Sequence, residues 1–357
     1  MNDRENLFGL LRRTGYAFMP VEFSMSPDLE ARFKQYVRAT GYKMPRRAMR
    51  YLPGAPLVSR PHSASFWRER YAYPLAEDTN FDEYGVAWES GSAAAMHMRR
   101  LRHPLAEAQT VEEIQSYPFP KFSKKPLLPA RMYAAALKAA GNFVIGSMQC
   151  TIWETAWYLR SMEALMMDML CDEEMADAVL DVVTANACDR AVYFAVMGAD
   201  GIYLGDDIGM QSSPMMSMDL YDRFLKPRLQ KVIAAARAVR PDILVFYHSC
   251  GFVEPFIDRL IEVGVDVLNP VQPESMDFRE IYAQYGDRIS FCGTLGTQTL
   301  MPFGTPQEIR DFVWDTLDMV GPKGGLLIAP THLLEPEVPV ENVIAYLDAC
   351  KQYKVKK

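Results

Sequence analysis

From about residue 140 onward, short apolar runs alternate with longer amphipathic segments. The apolar runs occupy 142–147, 201–206, 242–249, 265–272, 289–294 and 325–330. Their apolar residues are continuous, which is typical of parallel strands that are buried on both faces. Between two of the runs, the segment 217–239 has apolar residues at the three- and four-residue spacing of a helix that packs on a sheet. The pattern predicts repeated strand–helix–strand units and a parallel sheet.

The segment 305–320 carries a separate signal for the start of a helix. Thr305 precedes an amphipathic run, and Glu308 follows three residues later, which is the capping-box pattern. We therefore predict a helix that begins directly after Thr305.

The number of strands favours a barrel. We predict a seventh strand in 16–24 and look for an eighth in 50–140, a region rich in proline, aromatic and charged residues. Seven or eight parallel strands in a chain of this length favour a closed (β/α)₈ TIM barrel over an open sheet. The prediction is one α/β domain over residues 1–357, in which 26–140 is an insertion of helices and loops that caps one end of the barrel.

Composition and charge limit which partners and which cellular location are expected. The chain has 357 residues, of which 49% are apolar, and a net charge of −7. Its only Lys/Arg-rich run is the short "KQYKVKK" at the end, so no nucleic-acid or membrane partner is predicted. No segment has the roughly eighteen unbroken apolar residues of a spanning helix, and the charged start lacks a signal core, so we expect a cytoplasmic protein. The six scattered cysteines do not form a disulfide pattern.

Polar or metal-binding side chains follow all six strands, at the end where a barrel has its active site. These residues are Gln149, Cys150, Asp206, Asp207, His248, Cys250, Asn269, Gln272, Thr294, Thr297, Gln298, Thr331 and His332. We predict that four of them bind substrate: Gln149, Asn269, Thr294 and Gln298.

His248 and Cys250 are two residues apart at the end of a strand, so their side chains point to the same face. Imidazole and thiolate together suit zinc, which takes three or four ligands. His332, at another strand end, is the third candidate ligand. The alternative interpretation is that both histidines hydrogen-bond a substrate and that Cys250 only fills space.

Two adjacent aspartates end the strand 201–206. Neighbouring residues on a strand point in opposite directions, so one aspartate closes the following turn and the other faces the pocket. We predict that Asp207 is the one in the pocket, as a general acid/base or hydrogen-bond acceptor, and retain Asp206 and His332 as further catalytic candidates. Asp206, Asp207 or Glu335 could supply a fourth zinc ligand.

Other aromatic and histidine positions are predicted to be structural. Trp153 and Trp157, at helical spacing beside Glu154, are expected in the core. The remaining histidines lie in the insertion and are expected to make local contacts: His62, His97 and His103.

Four ordered stretches resemble the uroporphyrinogen decarboxylase superfamily. They are "GDDIGMQSSPMMS", "FYHSCGFVEPFIDRLIEVGVDVLNPVQPESMD", "GTLGTQTLMPFGTPQEIR" and "GGLLIAPTHLLEPEVPVENV". The resemblance runs from about residue 140 to 350, and "DEYGVAWES" (82–90) is similar to the superfamily's capping segment. It implies a TIM barrel.

One branch of the superfamily comprises zinc-dependent methyltransferases that exchange methyl groups with a corrinoid protein. There, a His-x-Cys pair and a distant cysteine hold the zinc, which implies a zinc site at His248, Cys250 and the position of His332. Imidazole also binds zinc, and one thiolate fewer makes the ion more electrophilic.

The resemblance implies a cobalamin-dependent methyltransferase for a small methylated substrate such as a methyl ether. The corrinoid is expected on a partner protein, because this chain has no Asp-x-His-x-x-Gly corrinoid-anchoring stretch. A homodimer is a further expectation from the superfamily.

The other branch is a metal-free decarboxylase of haem biosynthesis, with an arginine pair that grips substrate carboxylates. "RRAMRYLP" (46–53) has Arg46 and Arg50 at that spacing, so this rival predicts that both line the cleft around a porphyrinogen-like polycarboxylate. A third hypothesis is a non-catalytic barrel that binds a corrinoid or another small molecule.

Overall fold

Seven strands form one parallel sheet in the computed structural model, which describes residues 1–89 and 100–355. The sheet order is β1-β5-β6-β7-β8-β9-β10. Across the described residues the strands are β1 (Arg50–Tyr51), β2 (Asn80–Phe81), β3 (Ala87–Glu89), β4 (Arg100–Arg102), β5 (Val144–Gln149), β6 (Gly201–Gly205), β7 (Leu244–His248), β8 (Val267–Asn269), β9 (Ser290–Cys292) and β10 (Leu326–Leu327). The six strands predicted from apolar runs are thus present: β6 to β10 are each shorter than their runs, and β5 has the length of its run but lies two residues later.

Helices connect successive strands of the sheet and also precede the first strand and follow the last one. They are α1 (Asp3–Leu11), α2 (Pro27–Thr40), α3 (Ala64–Arg68), α4 (Val111–Gln115), α5 (Leu128–Ala139), α6 (Trp153–Arg160), α7 (Met162–Cys171), α8 (Glu173–Met197), α9 (Met218–Leu220), α10 (Lys226–Val239), α11 (Ile257–Val263), α12 (Phe278–Tyr285), α13 (Leu300–Phe303), α14 (Pro306–Val320) and α15 (Val340–Gln352). Within the described part of the chain, no helix is long and apolar enough to cross a membrane.

Two helix predictions are confirmed. Within the segment 217–239, Ser217 caps the helix and all residues from Met218 onward are helical, with a π-helical turn at Tyr221–Leu225 between α9 and α10. The capping box at the start of α14 is formed: the Thr305 side chain accepts from the backbone N–H of Glu308, and the Glu308 carboxylate accepts from the backbone N–H of Thr305.

The prediction of a closed eight-stranded barrel is wrong, because the sheet does not close among the described residues. The sheet is curled, but no ladder joins β10 to β1 among the described residues. The expected seventh strand, 16–24, is not a regular strand. Val21 makes one bridge to Arg47, and Met25 makes one bridge to Leu334. Both bridges are isolated and reach residues outside β1 and β10, so the segment forms no continuous ladder with either strand among the described residues.

The region 26–140 is more than a cap. It contributes β1 to the main sheet, within the range where an eighth strand was expected, and a separate antiparallel sheet of order β2-β3-β4. His97 and the end of the 82–90 stretch lie outside the described residues. The single-domain assignment remains a prediction.

Acidic side chains just before two strands tie the amino end of the sheet together. Asp200 accepts a hydrogen bond from the backbone N–H of Val144 on β5 (3.2 Å), and Asp266 accepts one from Val245 on β7 (2.8 Å). This end of the sheet is therefore linked by its own side chains, and the opposite, carboxyl end is where a cavity opens.

Candidate functional site

A cavity of about 520 Å³ lies at the carboxyl ends of the strands, within the usual size of small-molecule sites. Side chains at or just beyond the strand ends line it, together with residues of the extended segment 22–24: Tyr51, Gln149, Asp207, His248, Asn269, Cys292 and His332 are among them. The sheet therefore brings strand-end residues to one place, as a TIM barrel does.

His248, Cys250 and Asp207 form a tight group beside this cavity. The Cys250 Sγ lies 3.5 Å from the His248 Nε2, and that nitrogen lies 3.8 Å from the Asp207 Oδ1. Among the described residues, these three side chains each offer one ligand atom, and the three atoms all lie within 4.8 Å of one another. The Cys250 backbone N–H donates to Asp207 Oδ1 (2.8 Å), which fixes the carboxylate against the turn after β7.

The orientation of His248 is set by its neighbours in the sheet. It is the last residue of β7 and pairs with Gly205 on β6, where a Cβ would lie only 2.6 Å from the His248 Cβ. Asn269 on β8 donates from Nδ2 to the Cys292 carbonyl (2.6 Å), and its Oδ1 therefore faces the His248 Nδ1 at 2.6 Å. An amide oxygen can only accept, so Nδ1 carries the proton and Nε2 is left with a lone pair for a ligand.

Burial determines the protonation of this group. Burial lowers the pKa of His248, against the opposing charge of Asp207, which favours the neutral imidazole. Burial raises the pKa of Cys250 to about 12, and the negative charges of Asp207 and Glu154 add to the effect. A cation bound here would oppose both causes and favour the thiolate.

His332 lines the same cavity but lies outside the tight group. Its side chain is exposed at the mouth, and its ring centroid is 6.4 Å from that of His248. Of the three predicted metal ligands, the structure thus brings His248 and Cys250 into one group with Asp207, and leaves His332 farther out. Glu335 does not line the cavity.

Glu154 is a cavity residue for which the sequence analysis predicted no role. Its neighbour Trp153 is fully buried, but the Glu154 carboxylate accepts from the Tyr158 hydroxyl (2.9 Å) and from the Asp207 backbone N–H (3.3 Å). Burial, followed by the charge of Asp207, raises the pKa of Glu154 to about 7. Its position in the first turn of the helix after β5, at the mouth of a barrel, was the available sequence signal.

Asp206 and Asp207 divide their roles. Asp207 lines the cavity. Asp206 is buried and accepts from the backbone N–H groups of Ile152 and Glu154, both at 3.0 Å, so it caps the start of α6. The candidate catalytic role of Asp206 is not supported by this geometry, because its carboxylate is turned into a helix terminus.

The predicted substrate-binding residues separate into two pairs. Gln149 and Asn269 line the cavity, although the Asn269 amide is already bonded on both sides. Thr294 is fully buried and lines a different cavity beside Glu274. Gln298 is exposed and bonds to Gln211 (3.3 Å). The last two do not line the main cavity.

The arginines of the "RRAMRYLP" stretch do not face the cavity as the decarboxylase hypothesis predicts. Arg46 pairs with Asp3 (2.9 Å) and its side chain is 61% exposed, while Arg50 is exposed and bonds to Asn142. Neither lines the cavity, and Arg47 between them does.

Comparisons with known proteins place the chain among enzymes. It is 28% identical to the methylcobamide:CoM methyltransferase MtaA of Methanosarcina barkeri over 59% of this chain and 58% of that protein. It is 28% identical to a methylated-thiol–coenzyme M methyltransferase of Methanosarcina mazei over 51% of this chain and 46% of that protein. The chain thus spans about half the length of these relatives. Uroporphyrinogen decarboxylases match over shorter stretches.

A solved methyltransferase from Methanosarcina mazei has the same fold. It superimposes with a TM-score of 0.62 at 19% identity and covers 98% of both chains. The uroporphyrinogen decarboxylase (URO-D) family matches residues 84–353, about three quarters of the sequence. The chain belongs to the uroporphyrinogen decarboxylase (URO-D) family.

Proposed function

We propose that this protein is a corrinoid-dependent methyltransferase that moves a methyl group between a small methylated substrate, such as a methyl ether, and the cobalamin of a partner protein. The observation that carries the proposal is the group formed by His248, Cys250 and Asp207 beside the cavity. The matched methyltransferases support the reaction class, and the cobalamin partner rests on the name of one of them.

The residues of this group fit zinc. One imidazole nitrogen, one thiol sulfur and one carboxylate oxygen are zinc donors, and three protein ligands leave a position for substrate. The hydrogen bond from His248 Nδ1 to Asn269 is the support that zinc-bound histidines usually have. When bound, zinc supplies Lewis-acid polarisation of a substrate heteroatom.

The other cavity residues bind and orient the substrate in this proposal. Glu154, with a pKa near neutrality, holds or releases a proton beside Asp207. His332 and Gln149 are exposed in the cavity lining and contact the substrate from the mouth. His332 is thus kept as a catalytic candidate rather than a zinc ligand. A homodimer remains a prediction.

The decarboxylase alternative lacks the two arginines that would bind the substrate carboxylates, because Arg46 and Arg50 both point away from the cavity. The non-catalytic alternative gives no reason for a thiol, an imidazole and two carboxyl groups to share one cavity.

Zinc content is the decisive measurement. We expect about one zinc per chain by elemental analysis, loss of that zinc in Cys250→Ser, and an unchanged thermal unfolding midpoint measured without metal. Cys171→Ser is the matched control, because Cys171 is exposed on α7. A titration with methylcobalamin and a small phenol as methyl acceptor, followed by ultraviolet–visible spectroscopy, should then show methyl transfer to the phenol for the native and control proteins only. A Cys250→Ser protein that exchanges methyl groups fully without metal rules the proposal out.

A further inference from the structure

A second polar pair, Arg47 and Glu22, lines the same cavity. The Arg47 Nη2 donates to the Glu22 Oε1 (3.2 Å) and to the Phe23 carbonyl (2.9 Å). The guanidinium lies over the Phe23 ring, with its carbon 4.4 Å from the ring centroid. The pair therefore has a fixed position, with the Arg47 side chain 29% exposed and the Glu22 side chain 12% exposed.

One oxygen of this pair has no hydrogen-bond partner within residues 1–89 and 100–355. The Glu22 Oε2 is buried and makes no hydrogen bond among the described residues. Within the same residues, the hydrogen bonds of Arg47 all use Nη2, so its Nε and Nη1 donors remain available. A buried polar atom without a partner is rare in native proteins and destabilises the folded state unless another group pairs with it. Its position in a cavity wall indicates that a ligand supplies the missing bond.

Burial makes Glu22 a carboxyl group that is easily protonated. Burial raises its pKa to about 7, although the positive charge of Arg47 opposes the shift. Since Oε1 accepts from Arg47, the proton belongs on Oε2, where it turns the unpartnered oxygen into a donor. The titratable groups whose charges act on Glu22, or on which its charge acts, are Arg47, Arg50, Tyr51, Tyr203, Cys292 and Tyr346, and of these Arg50 points away from the cavity.

We propose that Arg47 and Glu22 bind the carboxylate of the methylated substrate, so that the enzyme acts on small methylated carboxylic acids. Arg47 donates to one carboxylate oxygen and the Glu22 carboxyl donates to the other, which completes the bonding of both side chains. His248 lines the same cavity, so a single small molecule can contact both ends. This inference rests on the proposed function for the fate of the methyl group.

A cationic substrate is the opposite possibility, because an ionised Glu22 could accept from an ammonium group. The guanidinium 3.2 Å from the Glu22 carboxylate disfavours that choice, since it repels a second positive charge at the same place.

Calorimetric titration of the zinc-loaded protein near pH 6.5 tests the assignment. The probes are para-methoxybenzoate, its uncharged amide and the cationic para-methoxybenzylammonium. We expect the benzoate to bind at least about tenfold more tightly than the amide, which is the usual contribution of a charge-assisted hydrogen bond. Arg47→Met should remove that preference, and Arg46→Met should keep it because Arg46 pairs with Asp3 on the surface.

The pH dependence of benzoate binding provides a second test, which uses the variant Glu22→Gln. Benzoate affinity should fall as the pH rises from about 6 to about 8, because ionised Glu22 repels the ligand. Glu22→Gln keeps a donor at this position, so it should retain the binding and flatten the pH profile. This variant also tests the proposal if Arg47→Met does not fold.

Several results overturn the subsite: no binding of any probe, no preference for the benzoate, tighter binding of the cation, or an equal loss in Arg46→Met. These results are separable from failure of the proposed function. If the benzoate binds as expected but no methyl exchange occurs, the subsite stands and the methyltransferase proposal fails. If ethers without a carboxylate react equally well, the methyltransferase proposal stands and the subsite fails.

Discussion

The two ends of strand β6 carry aspartates in opposite situations. Asp200, just before the strand, has no exposed surface and is bonded to Arg4 (2.9 Å) and Arg240 (3.0 Å), with Lys138 at 3.4 Å. Asp207, just after it, is 40% exposed and shares the cavity edge with a neutral imidazole and a thiol. One aspartate is surrounded by cations of its own chain, and the other is not.

Glu22 and Glu154, which also lie at the carboxyl end, resemble Asp207 more than Asp200. Burial raises the pKa values of Glu22 and Glu154 to about 7, and the Glu22 Oε2 has no partner among the described residues. Asp200 is therefore neutralised by three cations at the amino end. At the carboxyl end, Glu22 pairs with Arg47 through one oxygen, and its other oxygen, like Glu154, is left for a ligand or a proton. In TIM barrels, the amino ends of the strands contribute to stability and the carboxyl ends carry the active site.

The largest expected effect is on stability, at the amino end. Asp200→Ala leaves three cations around an empty buried position, so we expect the free energy of unfolding to fall by about 3–5 kcal/mol. Urea denaturation followed by circular dichroism measures this loss.

Asp242→Ala is the matched control for Asp200→Ala. Asp242 also pairs with Arg240 (3.2 Å), but its side chain is 60% exposed, so its removal should cost less than about 1 kcal/mol. Equal losses in the two variants would contradict the view that buried neutralisation stabilises this end.

A smaller effect of opposite sign is expected at the carboxyl end. The folded protein holds the Glu22 proton up to about pH 7, whereas the ordinary value is 4.5, so the free energy of unfolding falls as the pH rises through this window. Because glutamine does not ionise, Glu22→Gln removes this pH-dependent fall. The free energy of unfolding of the ligand-free protein should therefore rise by about 2 kcal/mol at pH 8. Denaturation at pH 5 should show little difference, and an equal difference at both pH values would contradict the explanation.

The smallest expected effect concerns metal affinity. Asn269→Ala removes the acceptor that orients His248 (2.6 Å), so zinc affinity measured by chelator competition should fall about tenfold. Gln149→Ala is the control, because Gln149 lines the cavity without touching the His248 group in the described structure. Unchanged affinity in Asn269→Ala would show that the histidine needs no such support.

Local patterns in the sequence were enough to find several features. Continuous apolar runs located six strands, because burial on both faces demands apolar side chains at every position. Residues 248 and 250 were correctly placed on one face, since strand geometry repeats every two residues. The capping box at Thr305 was equally local.

Features that depend on distant parts of the chain were missed. The arginine spacing pointed to Arg46 and Arg50, yet Arg47 faces the cavity, because contacts with Asp3 and Asn142 hold the other two outside. Glu154 was noted only as a neighbour of Trp153 and was given no role, because a sequence does not show where a helix sits above the sheet. Asp206 proved to cap α6, a partner that comes from more than fifty residues earlier in the chain.

The sequence by itself determined the α/β class, the strand positions and the chemistry available at the strand ends, because these follow from short-range periodicity. Only the tertiary structure decided which of those groups share a cavity, that Asp207 rather than His332 completes the tight group, and that the sheet curls without closing. Such outcomes depend on the packing of segments that are far apart along the chain, and no local pattern encodes that packing.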